Sequence, residues 1–265
     1  MNRDSPPRSI RSASNPLVQR LRRERRDPGA YRTSGELWLE GEHLCDAWLA
    51  DGRPVRQVVL SESGWIRWQS AGRRLPAAEA VLLPDALFES VSGLQSATGI
   101  GLLVAAPAVG LIEPGVPSVV LDRLQDPGNV GSLMRTAAAL GFRQVVALAG
   151  TVALWSPKVL RAGMGAHFSL ALAEGIAPQR LGELAVPLVA TGSHEAQPLH
   201  RAALPWPMAW LLGHEGQGVD PALRPLCALT VTIPQPGGQE SLNVAAAGAI
   251  CLYESARRRL VPSAG

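Results

Sequence analysis

With 265 residues, the chain is long enough for one large domain or two ordinary domains with real hydrophobic cores. The hydrophobic fraction of 46% and charged fraction of 18% are typical of a globular protein and exclude a disordered one. No apolar run has the length of a membrane span, and the start lacks the apolar stretch of a signal peptide. Cys45, Cys227 and Cys251 show no metal-binding spacing, so we expect reduced thiols, a cytoplasmic protein and no metal site.

The positive charge is concentrated at the N-terminal end. Residues 1–32 contain nine arginines against three acidic residues, a net charge of +6, whereas the whole chain carries only +3. Clustered guanidinium groups bind nucleic-acid phosphates, because each neutralised phosphate releases bound counterions. The alternative is a solvated basic tail. The candidate nucleic-acid-binding residues are Arg20, Arg22, Arg23, Arg25 and Arg26.

The first half of the chain predicts a small α/β unit. Residues 1–13 are rich in Ser, Pro and Arg, and we expect them to be a disordered basic tail. A helix is predicted from about residue 15 to 26, because Leu17, Val18 and Leu21 share one face. Further short elements follow: strands at 36–41, 55–60 and 99–106, a helix at 43–50 and a turn at 62–64.

Residues 107–117 contain three prolines and two glycines, which predicts a linker. After it, short strands alternate with helices, and this pattern indicates a mainly parallel sheet with helices on both faces. Ligands bind at the carboxyl ends of the strands in such sheets. The predicted strands are 119–121, 145–148, 187–190, 208–212 and 229–233, and the predicted helices are 129–140, 157–162 and 241–259.

Three of these predicted strands lead into loops with unusual polar groups. The loops contain none of the patterns GxGxxG, GxxxxGK[ST] or GxSxG, which excludes the usual dinucleotide, phosphate-loop and α/β-hydrolase sites. Polar groups at a helix N-terminus favour a hydroxyl-bearing or negatively polarised ligand. The candidate site residues in the three loops are Asn129, Arg135, Glu215, Ser241 and Asn243.

The three loops resemble the signature motifs of the SpoU/TrmH branch of the SPOUT RNA methyltransferases. The matching patterns, in the family's order, are NxGxxxRTAxxxGF at 129–142, LLGxEGxG at 211–218 and IPxxGxxxSLNVAxA at 233–247. Residues 161–168 resemble the family's loop between the first two motifs. Asn15-Pro16, the arginine-rich helix and residues 38–41 resemble the ribosomal-protein-L30e-like RNA-binding domain that many members carry.

The resemblance implies an L30e-like RNA-binding domain at 14–106 and a SPOUT-type methyltransferase domain at 118–265, whose mainly parallel sheet forms a trefoil knot. It implies methyl transfer from S-adenosylmethionine to a ribose 2′-hydroxyl of structured RNA, with rRNA favoured over tRNA. Arg135 would activate the hydroxyl, while the other four candidate residues orient Arg135 and the RNA. The implied cofactor-binding residues are Gly213, Ile233, Leu242 and Gly192. A homodimer is also implied, with the final helix as a candidate interface.

Two alternatives stay open on the sequence. Arginine has a very high pKa, so Arg135 either activates the hydroxyl or binds the adjacent phosphate and stabilises the developing alkoxide. Glu215 is chemically the easier proton acceptor. The second alternative is a non-catalytic RNA-binding protein that retains the knotted fold, although the five intact candidate residues argue against it. An unrelated nucleotide-dependent enzyme would need a phosphate-binding loop.

Overall fold

A computed structural model describes residues 7–76, 78–108, 110–192, 196–238 and 241–260. Two compact units are present: one comprises Met1–Ala108 with Trp155–Phe168, and the other Val109–Leu154 with Ser169–Gly265. Among the described residues, no helix combines the length and the apolar character needed to cross a lipid bilayer.

The predicted strands and helices are present in their predicted order along the chain, and several further short elements lie before or between them. The strands are β1 (Arg8–Ser9), β2 (Glu36–Glu40), β3 (Gln57–Ser61), β4 (Glu79–Leu83), β5 (Ile100–Ala105), β6 (Ser118–Leu121), β7 (Gln144–Leu148), β8 (Ala171–Ile176), β9 (Leu188–Thr191), β10 (Gln197–Pro198), β11 (Ala209–Leu212) and β12 (Leu229–Thr232). The α-helices are α1 (Pro16–Arg26), α2 (Tyr31–Ser34), α3 (Glu42–Ala50), α4 (Glu62–Ser70), α5 (Asp85–Val91), α6 (Pro127–Ala139), α7 (Pro157–Gly163) and α8 (Val244–Leu260).

The first unit is built on a mixed five-stranded sheet of order β1-β4-β3-β5-β2. Helix α1 begins where predicted, because the Asn15 side chain accepts a hydrogen bond from the Leu17 N–H at 2.9 Å and Pro16 occupies the first turn. Its apolar face is buried in a core with Phe88 and Val91 of α5. The predicted helix at 15–26 is therefore confirmed.

Two predictions for the first unit are wrong. Arg8 and Ser9 pair with Val81 and Leu82 of β4, so this part of the predicted disordered tail extends the sheet; residues 1–6 lie outside the described residues. The predicted turn at 62–64 is the first turn of α4. That helix forms because the Ser61 hydroxyl accepts a hydrogen bond from the Gly64 N–H at 3.0 Å.

The second unit contains a seven-stranded sheet of order β10-β12-β9-β11-β6-β7-β8. Every strand pair in it is parallel, which confirms the predicted parallel sheet. Helices α6 and α8 pack closely, and Gly248 of α8 allows this because it has no Cβ. A Cβ at this position would lie 2.3 Å from Leu133 Cδ2. The buried Trp210 side chain donates a hydrogen bond from Nε1 to Ser255 Oγ at 3.0 Å, which holds α8 over β11.

The structure places two segments differently from the predicted domain bounds, which make residues 107–117 a linker and 118–265 one domain. Most of the predicted linker belongs to the second unit, where the buried Gln144 amide accepts from the Glu113 N–H at 2.7 Å and donates to Ser118 Oγ at 2.8 Å. Residues 155–168, by contrast, belong to the first unit. There the rings of Trp48 and Phe168 lie 5.3 Å apart, edge to face.

Candidate active site at the carboxyl ends of the parallel strands

The three polar loops leave the same edge of the seven-stranded sheet. Strands β6 and β11 are neighbours, and only β9 separates β11 from β12. Because these strands are all parallel, their carboxyl ends lie at one edge, where ligands of such sheets bind.

The first loop ends in the N-terminus of α6. Asp126 Oδ1 accepts a hydrogen bond from the Asn129 N–H at 2.7 Å, and Pro127 occupies the first helical position. The helix therefore begins at Pro127 rather than at the predicted residue 129. As a result, Asn129 lies within the first turn and its side chain is free of the capping role.

The third loop ends in the N-terminus of α8. Asn243 Oδ1 accepts hydrogen bonds from the N–H groups of Ala245 at 2.9 Å and Ala246 at 3.2 Å. Asn243 is therefore the capping residue, and α8 begins at Val244 rather than at the predicted Ser241. The other end of the same amide, Nδ2, donates to Asn129 Oδ1 at 3.0 Å.

Glu215 of the second loop completes this set of contacts. Its Oε1 accepts hydrogen bonds from the Asp126 N–H at 3.1 Å and from Asn129 Nδ2 at 3.2 Å. Its Oε2 accepts from the Gln125 N–H at 3.2 Å. Glu215, Asn129 and Asn243 thus form one continuous chain of hydrogen bonds through all three loops, which we call the amide chain.

The amide chain has a direction that Glu215 dictates. An ionised carboxylate only accepts hydrogen bonds, so Asn129 must turn its NH₂ group toward Glu215 and its oxygen toward Asn243. Asn243 must then donate to Asn129, which leaves its own oxygen for the N-terminus of α8. The orientation of both amides follows from this pattern of donors and acceptors.

The same contacts keep Glu215 ionised. Partial burial of the carboxylate opposes its charged form. Hydrogen bonds to the charged form outweigh this effect and lower the pKa of Glu215; they come from the N–H groups of Glu215, Asp126 and Gln125 and from the Asn129 amide. A carboxylate with a lowered pKa and occupied oxygens is a weaker base than an ordinary glutamate. Glu215 is thus suited to orienting its neighbours rather than to accepting a proton.

The loop that carries Glu215 is closed on itself. A Cβ at Gly213 would lie 2.1 Å from the backbone carbon of Gly218, so only glycine allows this closure. The Gly218 N–H donates to the His214 carbonyl at 2.8 Å, and Gly218 has a φ of +68°. The glycines on both sides of Glu215 therefore fix the path of the loop.

Arg135 and Ser241 are placed differently from the other three candidate residues. Both are exposed, and neither side chain has a hydrogen bond or ion pair within the described part of the chain. Arg135 lies on α6, beyond the turn that carries Asn129. Its guanidinium is therefore available to a ligand at this edge of the sheet.

The residues implied for cofactor binding surround the same edge. Gly192, Gly213 and Ile233 directly follow β9, β11 and β12. These three strands are neighbours in the sheet, where β9 lies between β12 and β11. Ile233 lines a cavity of about 210 Å³ together with Leu199, His200, Pro234, Ile250, Tyr253 and Glu254. Leu242 is 39% exposed. Backbone groups and apolar side chains of this kind fit an adenosyl group, which needs flat apolar surfaces and a few polar backbone partners.

Sequence reasoning missed four further residues at this edge: Asp122, Arg123, Asp126 and Gln217. Asp126 had a readable signal, because an aspartate directly before a proline is typical of a helix start. The other three act through contacts between loops, which the sequence pattern does not reveal.

Four of the five candidate arginines of α1, in the first unit, have partners of their own. Arg20 pairs with Glu36 at 3.3 Å, and Arg23 donates to Thr33 Oγ1 at 2.8 Å. Arg22 and Arg25 both donate to Ser90, to its hydroxyl and its carbonyl respectively. Arg26 is exposed. These contacts dock α1, and they leave most of the five guanidinium groups at the surface.

Comparisons with known proteins agree with this arrangement. Residues 117–253 match the model of the SpoU rRNA Methylase family. The chain is 32% identical to an uncharacterized tRNA/rRNA methyltransferase of Synechocystis sp., over 96% of both chains. It is 28% identical to the 23S rRNA guanosine 2′-O-methyltransferase RlmP of Bacillus subtilis, over 93% of this chain and 98% of that one.

A solved structure shows the same fold. The SpoU methyltransferase AviRb from Streptomyces viridochromogenes, in complex with AdoMet, superposes with a TM-score of 0.81 at 26% identity. The superposition covers 93% of this chain and 98% of that one. The predicted fold class, a SPOUT-type parallel sheet flanked by helices, is therefore confirmed.

We predict that Glu215→Gln will loosen the start of α6. The substitution replaces one acceptor oxygen by an NH₂ group that cannot accept from Gln125, Asp126 or Asn129. Hydrogen exchange at the Gln125 and Asp126 amides should therefore become faster, and the measurement is native-state exchange followed by mass spectrometry or NMR.

The protection of these amides in the wild type should also depend on pH, because the pKa of Glu215 is lowered in the folded protein. Protection should be complete at pH values above the ordinary pKa of glutamate. It should be lost as the pH falls through the lowered pKa of Glu215.

The matched control is Glu183→Gln, in the same unit, where the carboxylate is bonded to the Arg180 side chain on the surface. That variant should leave exchange at residues 125 and 126 unchanged. Unchanged exchange in Glu215→Gln as well would show that Glu215 does not organise the loop.

Proposed function

Because this chain belongs to the SpoU rRNA methylase family, we propose that it transfers a methyl group from S-adenosylmethionine to a ribose 2′-hydroxyl of structured RNA. Ribosomal RNA is favoured over transfer RNA, since the relatives named above include a 23S rRNA methyltransferase. The observation that carries the proposal is the amide chain, which joins the three motif loops at the edge where ligands bind. The reaction belongs in the cytoplasm, consistent with three cysteines that are free thiols.

S-adenosylmethionine supplies an electrophilic methyl group on a sulfonium centre. Gly192, Gly213, Ile233 and Leu242 are the residues that would hold it, through backbone groups and apolar contact. The family's trefoil knot stays a prediction for the loop after β12, because residues 239 and 240 lie outside the described residues.

Arg135 is the residue that meets the reacting nucleotide. Glu215 is a poor proton acceptor because its pKa is lowered and its oxygens are occupied. Arg135, by contrast, is exposed and has no partner among the described residues. Its planar guanidinium suits a phosphate next to the reacting ribose and stabilises the charge that develops on the 2′-oxygen while the methyl group is transferred and the hydroxyl proton passes to solvent. Asn129, Ser241 and Asn243 orient the nucleotide; no contact within the described residues joins them to the Arg135 side chain, so the implied orientation of Arg135 by these residues stays a prediction.

The first unit is proposed to bind the RNA as an L30e-like domain. Arg20, Arg22, Arg23, Arg25 and Arg26 present a concentrated positive surface on α1, and a guanidinium with five donors can bind a protein acceptor and a phosphate together.

A homodimer is proposed through the outer face of α8. Ile250 is 41% exposed and Tyr253 is 57% exposed, and both border the cavity that Ile233 lines. Large apolar side chains beside an apolar cavity mark an interaction site, and the family resemblance of the sequence motifs implies a second copy of this chain as the partner.

The function is tested by methyl transfer from labelled S-adenosylmethionine to rRNA, ribosomal subunits and tRNA that lack this modification, followed by nucleoside analysis. We expect a 2′-O-methyl nucleoside in rRNA or in a ribosomal subunit.

Arg135→Ala should abolish transfer and retain cofactor binding. The control is Arg143→Ala, which substitutes an exposed arginine of the same unit and should leave the protein fully active. A methylated base, or cofactor binding with no transfer to any RNA, would contradict the proposal and favour the binding-only alternative.

Removing arginines from α1 should weaken the salt dependence of RNA binding. Deletion of the helix is unsuitable because Leu17, Val18 and Leu21 are buried, so we choose Arg23→Gln with Arg26→Gln. If both arginines contact phosphates, the slope of log K against log salt should fall by roughly 2. The control pair is Arg180→Gln with Arg224→Gln in the second unit. An equal slope in the wild type and the α1 variant would mean that α1 is only a solvated face.

Disrupting the outer face of α8 should produce a monomer. Ile250→Asp places a charge where the proposed interface is apolar, so sedimentation should show dissociation at concentrations at which the wild type is dimeric. Leu260→Asp is the matched control, because Leu260 is 80% exposed on the same helix. A wild type that stays monomeric, or a dimeric Ile250→Asp variant, would exclude this interface.

A further inference from the structure

Arg123 adopts a backbone conformation that is unusual for its residue type. It lies two residues after β6 and has a φ of +58°, in the left-handed region where a side chain with a Cβ is disfavoured. Glycine or asparagine would adopt this conformation more readily. Residues held in such a conformation cost free energy, so the contacts of the Arg123 side chain must offset this cost.

The Arg123 side chain folds back onto its own neighbour. Nε and Nη2 donate to the two carboxylate oxygens of Asp122 at 2.8 and 3.1 Å. Asp122 is 2% exposed and also accepts from the Asp220 N–H at 2.8 Å. The buried carboxylate is therefore paired and hydrogen-bonded from both sides.

The third nitrogen of the guanidinium reaches the loop that carries Glu215. Nη1 of Arg123 donates to Gln217 Oε1 at 3.2 Å, and Gln217 follows Glu215 by two residues. The loop is thus held at its far side through Gln217 and Asp220, and at its near side through the contacts of Glu215 with Gln125 and Asp126. Because Gly213 and Gly218 close the loop on itself, a constraint at Gln217 is transmitted to Glu215.

We propose that Arg123 is a positioning residue for methyl transfer, which holds the Glu215 loop against the N-terminus of α6 through Gln217. This inference rests on the proposed function. Arg123 keeps Glu215 in place, Glu215 fixes the amide of Asn129, and the helix that carries Asn129 also carries Arg135. Pairing with the buried Asp122 anchors the guanidinium, so that its remaining nitrogen has a defined direction.

Three variants separate positioning from simple stabilisation. Arg123→Gly removes the guanidinium while relieving the backbone strain. Gln217→Ala removes only the link to the Glu215 loop and leaves the Asp122–Arg123 pair intact, so it should fold even if Arg123→Gly does not. Gln217→Glu keeps an acceptor for Arg123 and serves as the conservative variant.

We expect Arg123→Gly and Gln217→Ala to lower kcat by about tenfold with little change in KM for S-adenosylmethionine, because small misplacements cost large factors in rate. Both should also accelerate hydrogen exchange at the Gln125 and Asp126 amides. Gln217→Glu, by contrast, should keep kcat and the exchange rates of these amides at their wild-type values. A wild-type kcat with unchanged exchange in Gln217→Ala would overturn the inference, as would a loss confined to KM. If the wild type itself transfers no methyl group, the proposed function fails; the exchange measurement then still decides whether Arg123 holds the loop.

Discussion

The candidate site depends on the fact that an ionised carboxylate can only accept hydrogen bonds. Glu215 uses this property to orient the Asn129 amide, and through it the Asn243 amide and the first turn of α8. Hydrogen bonds to charged groups contribute about 1.5–3 kcal/mol each in proteins, and exposure to solvent at Glu215 reduces that value. The amide chain therefore contributes more to a defined geometry than to the free energy of unfolding.

The sheet makes this geometry possible by bringing two helix starts together. Helices α6 and α8 follow β6 and β12, and the glycine at position 248 lets them pack at short range. Asn129 in the first turn of α6 is bonded to Asn243, the capping residue of α8, so the two N-termini are adjacent. Helix N-termini carry partial positive charge, which favours the phosphates of an RNA ligand and the charge that develops on a 2′-oxygen.

The sequence names candidate residues for the site but does not predict the hydrogen bonds between them. Strand and helix periodicity predicts the parallel sheet, and the motifs predict the residues Asn129, Arg135, Glu215, Ser241 and Asn243. The partners of each amide could not be predicted, because they depend on how β6, β11 and β12 are ordered in the sheet. Arg123 was missed for the same reason: nothing local distinguishes it from a surface arginine until Asp122 and Gln217 are placed beside it.

Contacts distant in sequence also explain the errors in organisation. Composition predicts disorder for residues 1–13, but β4 provides a strand edge on which Arg8 and Ser9 pair. Residues 155–168 follow the first motif along the chain, yet Trp48 and Arg53 bind Phe168 within the first unit. Local pattern describes each segment, and only tertiary partners decide which unit a segment joins.

The most direct test of the amide chain is a double-mutant cycle in unfolding free energy between Glu215→Ala and Asn243→Ala. These two side chains share Asn129 as a partner. We expect a coupling of about 0.5–3 kcal/mol, which should disappear when the cycle is repeated with Asn129→Ala. Additive effects of the two substitutions, in the presence of Asn129, would contradict it.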